Sequence, residues 1–134
     1  MKEPRSPCPV VFALDLLGDR WTLLVIRDLA LRGMSTYGEL LAAGEGIATN
    51  VLADRLKRLE AADVLTKSRD PQHGARNRYR LTSKGLDLIP ILVEMMRWSA
   101  KHDPACPMSA ALRLRLLEDP EGVAADARAR AEQG

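Results

Sequence analysis

The sequence predicts a mainly α-helical fold carrying one small β-hairpin (α+β). Three observations point there. Leucines at 52, 56 and 59 recur at helical spacing. Two short runs, "VLTKSRD" and "RNRYRLT", alternate at period two on either side of the turn sequence "PQHGA". Apolar residues at three- and four-residue intervals continue on both sides of that hairpin. A chain of 134 residues, 46% hydrophobic and 28% charged, has the size and composition of one soluble domain with its own core. Only five residues are aromatic, so that core is aliphatic.

The elements follow in order. Pro9 suits a first helical position and Gly18 a left-handed stop, which predicts a first helix from Pro9 to Leu17 with Cys8 at its N-cap. Asp19 can cap a second helix whose stripe runs through Trp21, Leu24, Val25, Leu29 and Arg32 and which ends at Gly33. In "STYGELLAAGEG", Thr36 and Glu39 have the spacing of a capping box, and Gly44 to Gly46 end the short third helix. A fourth helix then covers about 48–62. The hairpin follows, with Tyr79 and Leu81 on one face. "SKGLDLIPILVEMMRWSAK" predicts a helix from Ser83 to about Lys101, kinked at Pro90, with Leu86, Ile89, Val93, Met96 and Ala100 on a stripe. "MSAALRLRLLED" predicts one more amphipathic helix through Leu112, Leu116 and Leu117, followed by a "PEG" turn and a frayed end. The expected division is a domain over 1–101 and a helical extension over 102–134.

Ile91, Leu92, Met95 and Trp98 leave the long helix apolar nearly all round, more than a small chain easily covers. The expectation is a homodimer seam at Val11, Phe12, Leu92, Met95, Met96 and Trp98, near the two ends of the domain. The apolar run Val10 to Leu17 is short and broken by Asp15, which argues against a leader or membrane span and for a cytoplasmic protein. Two cysteines, Cys8 and Cys106, are too few for a disulfide scaffold or a four-ligand zinc site. No cofactor and no metal are expected.

Charge is unevenly distributed. The net charge is +2, yet from Ile47 to Lys84 nine Lys or Arg stand against four Asp or Glu. A basic centre in an otherwise acidic chain fits a polyanion, although a solvated charged face gives the same count. Short helix, glycine-containing turn, longer helix is helix-turn-helix order, and a basic hairpin directly after it completes a winged-helix arrangement. In that arrangement the fourth helix enters the major groove of double-stranded DNA and the wing, about 69–80, lies on the backbone or minor groove. The candidate contacts are Thr36, Thr49, Asn50, Asp54, Arg55, Lys57 and Arg58, with His73, Arg76 and Arg78 in the wing. Asn50 can pair with adenine, and Arg55 or Arg58 with guanine or phosphate. Against this, Arg58 can simply pair with Asp54, and Arg78 or Arg80 can form cross-strand pairs.

These segments resemble the HxlR-type regulators, winged-helix relatives of the MarR group found in bacteria and archaea. The resemblance spans roughly Cys8 to Trp98: "CPVVFALDLLGDRWTLLVIRDL" is similar to the family's Cys-Pro and Gly-x-[Lys/Arg]-Trp signature. "TYGELL", "GIATNVLADRLKRLEAADVL" and "RYRLTSKGLDLIPIL" follow in order. It implies a dimeric transcription factor, repressor or activator, whose terminal helices pair two subunits on a pseudo-palindromic operator. Two departures stand out: Ala48 occupies the place of the usual serine before the recognition helix, and "PQHGAR" replaces a proline-rich wing entry, leaving Arg76 as the match to the wing arginine.

Cys8 is the candidate redox sensor. At an N-cap, with Lys2 and Arg5 nearby in sequence, a thiolate is favoured, and some members of the resembled family sense electrophiles at this place. The competing reading is a small residue packed in the dimer seam. An enzyme lacks parts: His73 and His102 have no fixed-spacing partner, and no glycine-rich loop follows a strand. A metal sensor built on Cys8, His102 and Cys106 is a lesser alternative. The serious rival is a winged helix used only for protein docking, for which a basic helix and wing together are unnecessary.

Overall fold

The structure, a computed structural model, describes residues 6–133. Eight helices and one hairpin run in the order α1 Pro9–Leu17, α2 Thr22–Ala30, α3 Tyr37–Leu41, α4 Thr49–Ala61, β1 Leu65–Arg69, β2 Asn77–Leu81, α5 Ser83–Leu86, α6 Ile89–His102, α7 Ala110–Glu118 and α8 Pro120–Gln133. This is the predicted mainly α fold with a small wing.

The first core lies beneath the helix-turn-helix. Val25, Ile26 and Leu29 of α2, Leu40 of α3, and Leu52, Leu56 and Leu59 of α4 are all buried together with Val64, Leu65 and Tyr79. The four-then-three leucine rhythm therefore does what its spacing requires: it turns one face of α4 inward and the charged residues outward. Asp63, at φ 66°, takes the left-handed position that stops α4. Gly18, expected to do this for α1, instead has φ −80°. Its missing side chain matters for space, since a Cβ there would press on the Leu14 carbonyl oxygen.

The strands are antiparallel, with Leu65 opposite Leu81, Lys67 opposite Tyr79 and Arg69 opposite Asn77. Tyr79 N–H donates to the Ser35 carbonyl at 2.7 Å, and Thr36 bridges Arg78, so the segment before α3 adds a one-residue third strand. That edge is invisible in the sequence because one residue carries no alternation.

The predicted kinked helix is two helices. Thr82 caps α5, its Oγ1 accepting from Gly85 N–H at 3.1 Å, and the chain breaks after Leu86. Pro90 sits in the first turn of α6, where its missing N–H costs nothing, so it begins a helix rather than kinking one.

The carboxy-terminal end differs most from expectation. Asp119 Oδ1 accepts from Gly122 N–H at 3.1 Å, so "PEG" opens α8 rather than forming a turn. α8 is not frayed. Val123 and Ala127 are buried with Leu116 of α7 against Leu86, Ile89, Val93 and Ala100, forming a second core. Arg113 ties the intervening loop by donating to the Cys106 carbonyl at 2.9 Å and to that of Ala100. α7 and α8 thus cover one side of α6 within the same chain.

This changes the seam expected on α6. Leu92 is only 6% exposed, buried in its own chain's first core, and has almost no surface left for a partner. Met96 is half-buried against the second core, and Val11 is half-buried as well. The strongly exposed candidates are Phe12 at 70%, Trp98 at 67% and Met95 at 51%, joined by Val10, Leu14 and Ile91. Among the described residues no helix is long and apolar enough to cross a membrane. Among the described residues no group of three His, Cys, Asp or Glu is placed to hold a metal ion.

Candidate nucleic-acid interface

The outward face of α4 carries Thr49, Asn50, Asp54, Lys57 and Arg58, all exposed. Arg55 does not belong to that set. Its Nε donates to Asp19 Oδ1 at 2.9 Å and its Nη1 to Asp54 Oδ2 at 2.5 Å, and it is largely buried, so it clamps α4 to the start of α2. Asp54 in turn pairs with Arg55. The alternative pairing with Arg58 is absent, and Arg58 reaches toward the Asp15 carbonyl at 3.5 Å.

Asp19 is the hub of this clamp. It accepts from the backbone N–H groups of Trp21 at 2.8 Å and Thr22 at 3.1 Å, from the Thr22 hydroxyl at 2.5 Å, and from Arg55. Burial pushes its carboxyl up, but the Thr22 hydroxyl, the Arg55 guanidinium and the two N–H groups outweigh that and hold it well below the usual carboxylate range. The capping role of Asp19 is legible in the sequence; its grip on a residue 36 positions away is not.

Thr36 is 5% exposed and spent on the predicted capping box: its Oγ1 accepts from Glu39 N–H at 3.2 Å, while Glu39 Oε1 accepts from Thr36 N–H at 3.1 Å. It orders α3 and is unavailable to a ligand. Glu39 is held below its ordinary value by the N–H groups of Ser35 and Thr36. One turn on, the Tyr37 hydroxyl donates to the Thr49 carbonyl at 3.0 Å and pins α3 to the first turn of α4.

That first turn is uncapped. Ala48 occupies the N-cap with extended geometry and no side-chain acceptor, and Thr49 does not substitute for it. Ala48→Ser is therefore expected to stabilise the free protein by about 0.5–1 kcal/mol in urea unfolding; no gain would mean that these N–H groups are already satisfied.

The wing tip is built around Asp70, which is buried. It accepts from Gln72 N–H at 2.9 Å and from Arg76 Nε and Nη2 at 3.0 and 2.8 Å, with Arg78 Nη2 at 3.4 Å. The Gln72 N–H first, then Arg76, hold its carboxyl down to about 2. Arg76 and Arg78, expected as wing contacts, are thus also engaged within the chain. Arg76 orders the tip while half its side chain stays exposed, and Arg78 also donates to Ser35 Oγ at 2.8 Å, tying the wing to the segment before α3. Arg78 thus forms the expected pair across the hairpin, with Asp70, whereas Arg80 faces Thr66 and makes no ion pair among the described residues. His73 is exposed at the tip.

The wing also presents basic residues that contribute to the local charge but are not among the contacts expected from sequence: Lys67, Arg69 and Arg80 are exposed and have no acidic partner among the described residues. Between α4 and the wing runs a groove of about 490 Å³ lined by Tyr37, Asn50, Asp54, Lys57, Glu60 and Lys67.

Cys8 is exposed at the N-cap of α1, its N–H donating to Ser6 Oγ at 3.2 Å. Lys2 and Arg5, which entered its expected reactivity, lie outside the described residues. Cys106 is half-buried in the loop before α7.

Known proteins share this arrangement. The HxlR-like helix-turn-helix family matches residues 16–106. The HTH-type transcriptional regulator sll1512 of Synechocystis, itself uncharacterized, is 35% identical over 105 residues, covering 75% of this chain and 77% of its own. Among solved structures, PA1607, a putative transcription factor, superposes with a TM-score of 0.69 at 36% identity over 78% of this chain and 72% of its own. The reduced form of the transcriptional regulator YodB from B. subtilis gives 0.59 at 29% identity, over 74% and 97%. With the helix-turn-helix, the wing and the match over most of its length, the chain belongs to the HxlR-like helix-turn-helix family and is a winged-helix transcriptional regulator of that type.

Proposed function

We propose that the chain acts as a homodimer that binds a pseudo-palindromic DNA operator, placing α4 of each protomer in the major groove and the wing along the adjacent backbone. The observation that carries this reading is the division of α4. Leu52, Leu56 and Leu59 anchor one face, and Asn50, Lys57 and Arg58 stand exposed on the other, beside a wing bearing Lys67, Arg69 and Arg80. Asn50, near the helix start, has the donor and acceptor pair that reads adenine N6 and N7, and Lys57 and Arg58 suit phosphate or guanine. Asp54 is committed to Arg55, and Thr49 stands where a helix start meets a backbone phosphate. The basic wing beside this face favours DNA over a protein-docking role.

Fluorescence anisotropy with a duplex across a salt series tests it. Lys57→Ala and Arg58→Ala are expected to weaken binding and to lower the log-log salt slope by about 0.9 for each phosphate left without its cation. Unchanged affinity and slope in both variants would remove α4 from the interface.

Cys8 is proposed as a point of chemical response, supported by its exposed thiol and by the similarity to a regulator solved in its reduced form. Alkylation by iodoacetamide, in which the thiolate displaces iodide, is expected to change DNA affinity in the wild type and not in Cys8→Ser. An equal change in both would place the response elsewhere.

A further inference from the structure

Lys67 and Tyr79 line the groove shared with α4. By strand alternation, Ser68, Arg78 and Arg80 stand on the opposite face of the hairpin. That face, the turn through Ser35 and the last turn of α8 enclose a cleft of about 560 Å³. Its floor is apolar, with Leu29, Leu31 and Leu86; Arg78, Arg80 and Arg130 line it together with Ser35 and Ser68, and among the described residues no aspartate or glutamate does. Arg78 is partly engaged, with Ser35 Oγ at 2.8 Å and Asp70 at 3.4 Å, and its charge is felt by Glu39. The side chains of Arg80 and Arg130 are exposed and have neither a hydrogen-bond nor an ion-pair partner among the described residues.

Arg80 and Arg130, from two remote parts of the chain and without a counter-charge among the described residues, share one concavity, an arrangement that a bound anion favours. Arginine's planar fork presents paired N–H donors that match phosphate oxygens, and serine hydroxyls add donors at neutral cost in charge. We propose that this cleft is a phosphate site in which Arg80 and Arg130 grip the group and Arg78, Ser35 and Ser68 complete its surroundings. α8 lies outside the segment matched by the family, so Arg130 comes from a helix beyond that segment. The phosphate belongs to a free phosphorylated molecule or to the backbone of bound DNA. Only the second source rests on the DNA-binding reading above.

The full-length chain, with Arg80→Ala, Arg130→Ala and, as a control outside the cleft, Arg115→Ala, distinguishes these outcomes. Isothermal titration with inorganic pyrophosphate is run beside duplex binding across a salt series. Pyrophosphate binding that weakens by about tenfold in the two cleft variants and not in Arg115→Ala supports the proposal with a free ligand as source. A salt slope for DNA reduced by about 0.9 per substituted arginine in the cleft variants alone supports it with DNA as source. No effect of either cleft substitution on either ligand, or an equal effect of Arg115→Ala, overturns it. If the wild type binds no duplex, the role assigned to α4 fails, and the pyrophosphate titration alone decides the cleft.

Discussion

Replacing Phe12 and Trp98 together with glutamate is expected to convert the proposed dimer to monomers and to weaken operator binding by at least about a hundredfold. Both side chains are two-thirds or more open to water in the single chain, so charging them leaves both cores intact and the fold unchanged by circular dichroism. Together with Val10, Leu14, Ile91 and Met95 they give α1 and α6 more exposed apolar surface than an isolated small domain ordinarily carries. A stable interface needs roughly 800 Å² from each partner, and two buried carboxylates from each protomer would not be tolerated there. Two half-sites bound through one dimer gain about 10²- to 10⁴-fold over a single site, and that gain is what the monomer forfeits. Sedimentation velocity reads the state directly; a variant that remains dimeric would exclude Phe12 and Trp98 from the seam.

Asp19→Ala is expected to lower stability by about 2–4 kcal/mol, through loss of the cap on α2 and of the charge-assisted bond to Arg55. It also frees α4 from α2, so DNA affinity falls although Asp19 touches no DNA. Arg55→Ala should lose the second part and keep the first, and the pair should show coupling of about 0.5–3 kcal/mol in a double-mutant cycle. The pH dependence has a definite sign. Because the folded carboxyl is held below its unfolded value near 3.8, its contribution is complete above that value and disappears as pH falls through the acid range. Wild type should therefore lose stability more steeply than Asp19→Ala on acidification below about pH 4. Parallel curves would mean that the clamp is not formed in solution. Asp70 has the same sign, with its contribution lost as pH falls toward about 2.

The residues behind these two predictions differ in how far the sequence exposes them. Leu52, Leu56 and Leu59, the Thr36 to Glu39 box and the hairpin alternation are local patterns, and periodicity or a fixed spacing reveals them. Arg55 and Arg76 look like surface cations because nothing nearby in sequence marks them otherwise. Their roles are set by Asp19 and Asp70, whose positions in space depend on the finished fold. α8 is hidden for a different reason. Its buried side is Val123 and Ala127, small residues that pack closely on α6 yet leave almost no hydrophobic stripe to read. Leu92 looks like a seam residue in the sequence because the surplus of apolar residues on α6 is visible there, whereas the cover that α7, α8 and the first core supply is not.

The same distinction refines the interface itself. Of the residues expected from sequence, Thr49, Asn50, Asp54, Lys57, Arg58 and His73 stand exposed, whereas Thr36, Arg55, Arg76 and Arg78 hold the scaffold in shape. The scaffold residues should show stability and DNA affinity falling together on substitution. Asn50, Lys57 and Arg58, on the open face of α4, should change affinity alone.

Whether two α4 helices of a dimer read DNA is decided by selecting bound duplexes from a random pool with the full-length protein and sequencing them. A pseudo-palindrome should be enriched, its half-sites about one helical turn, or about 10 base pairs, apart, and the enrichment should vanish when Asn50 and Arg58 are both replaced by alanine. A pool that stays random, or the same motif selected by that double variant, would contradict the reading of α4 as the recognition helix.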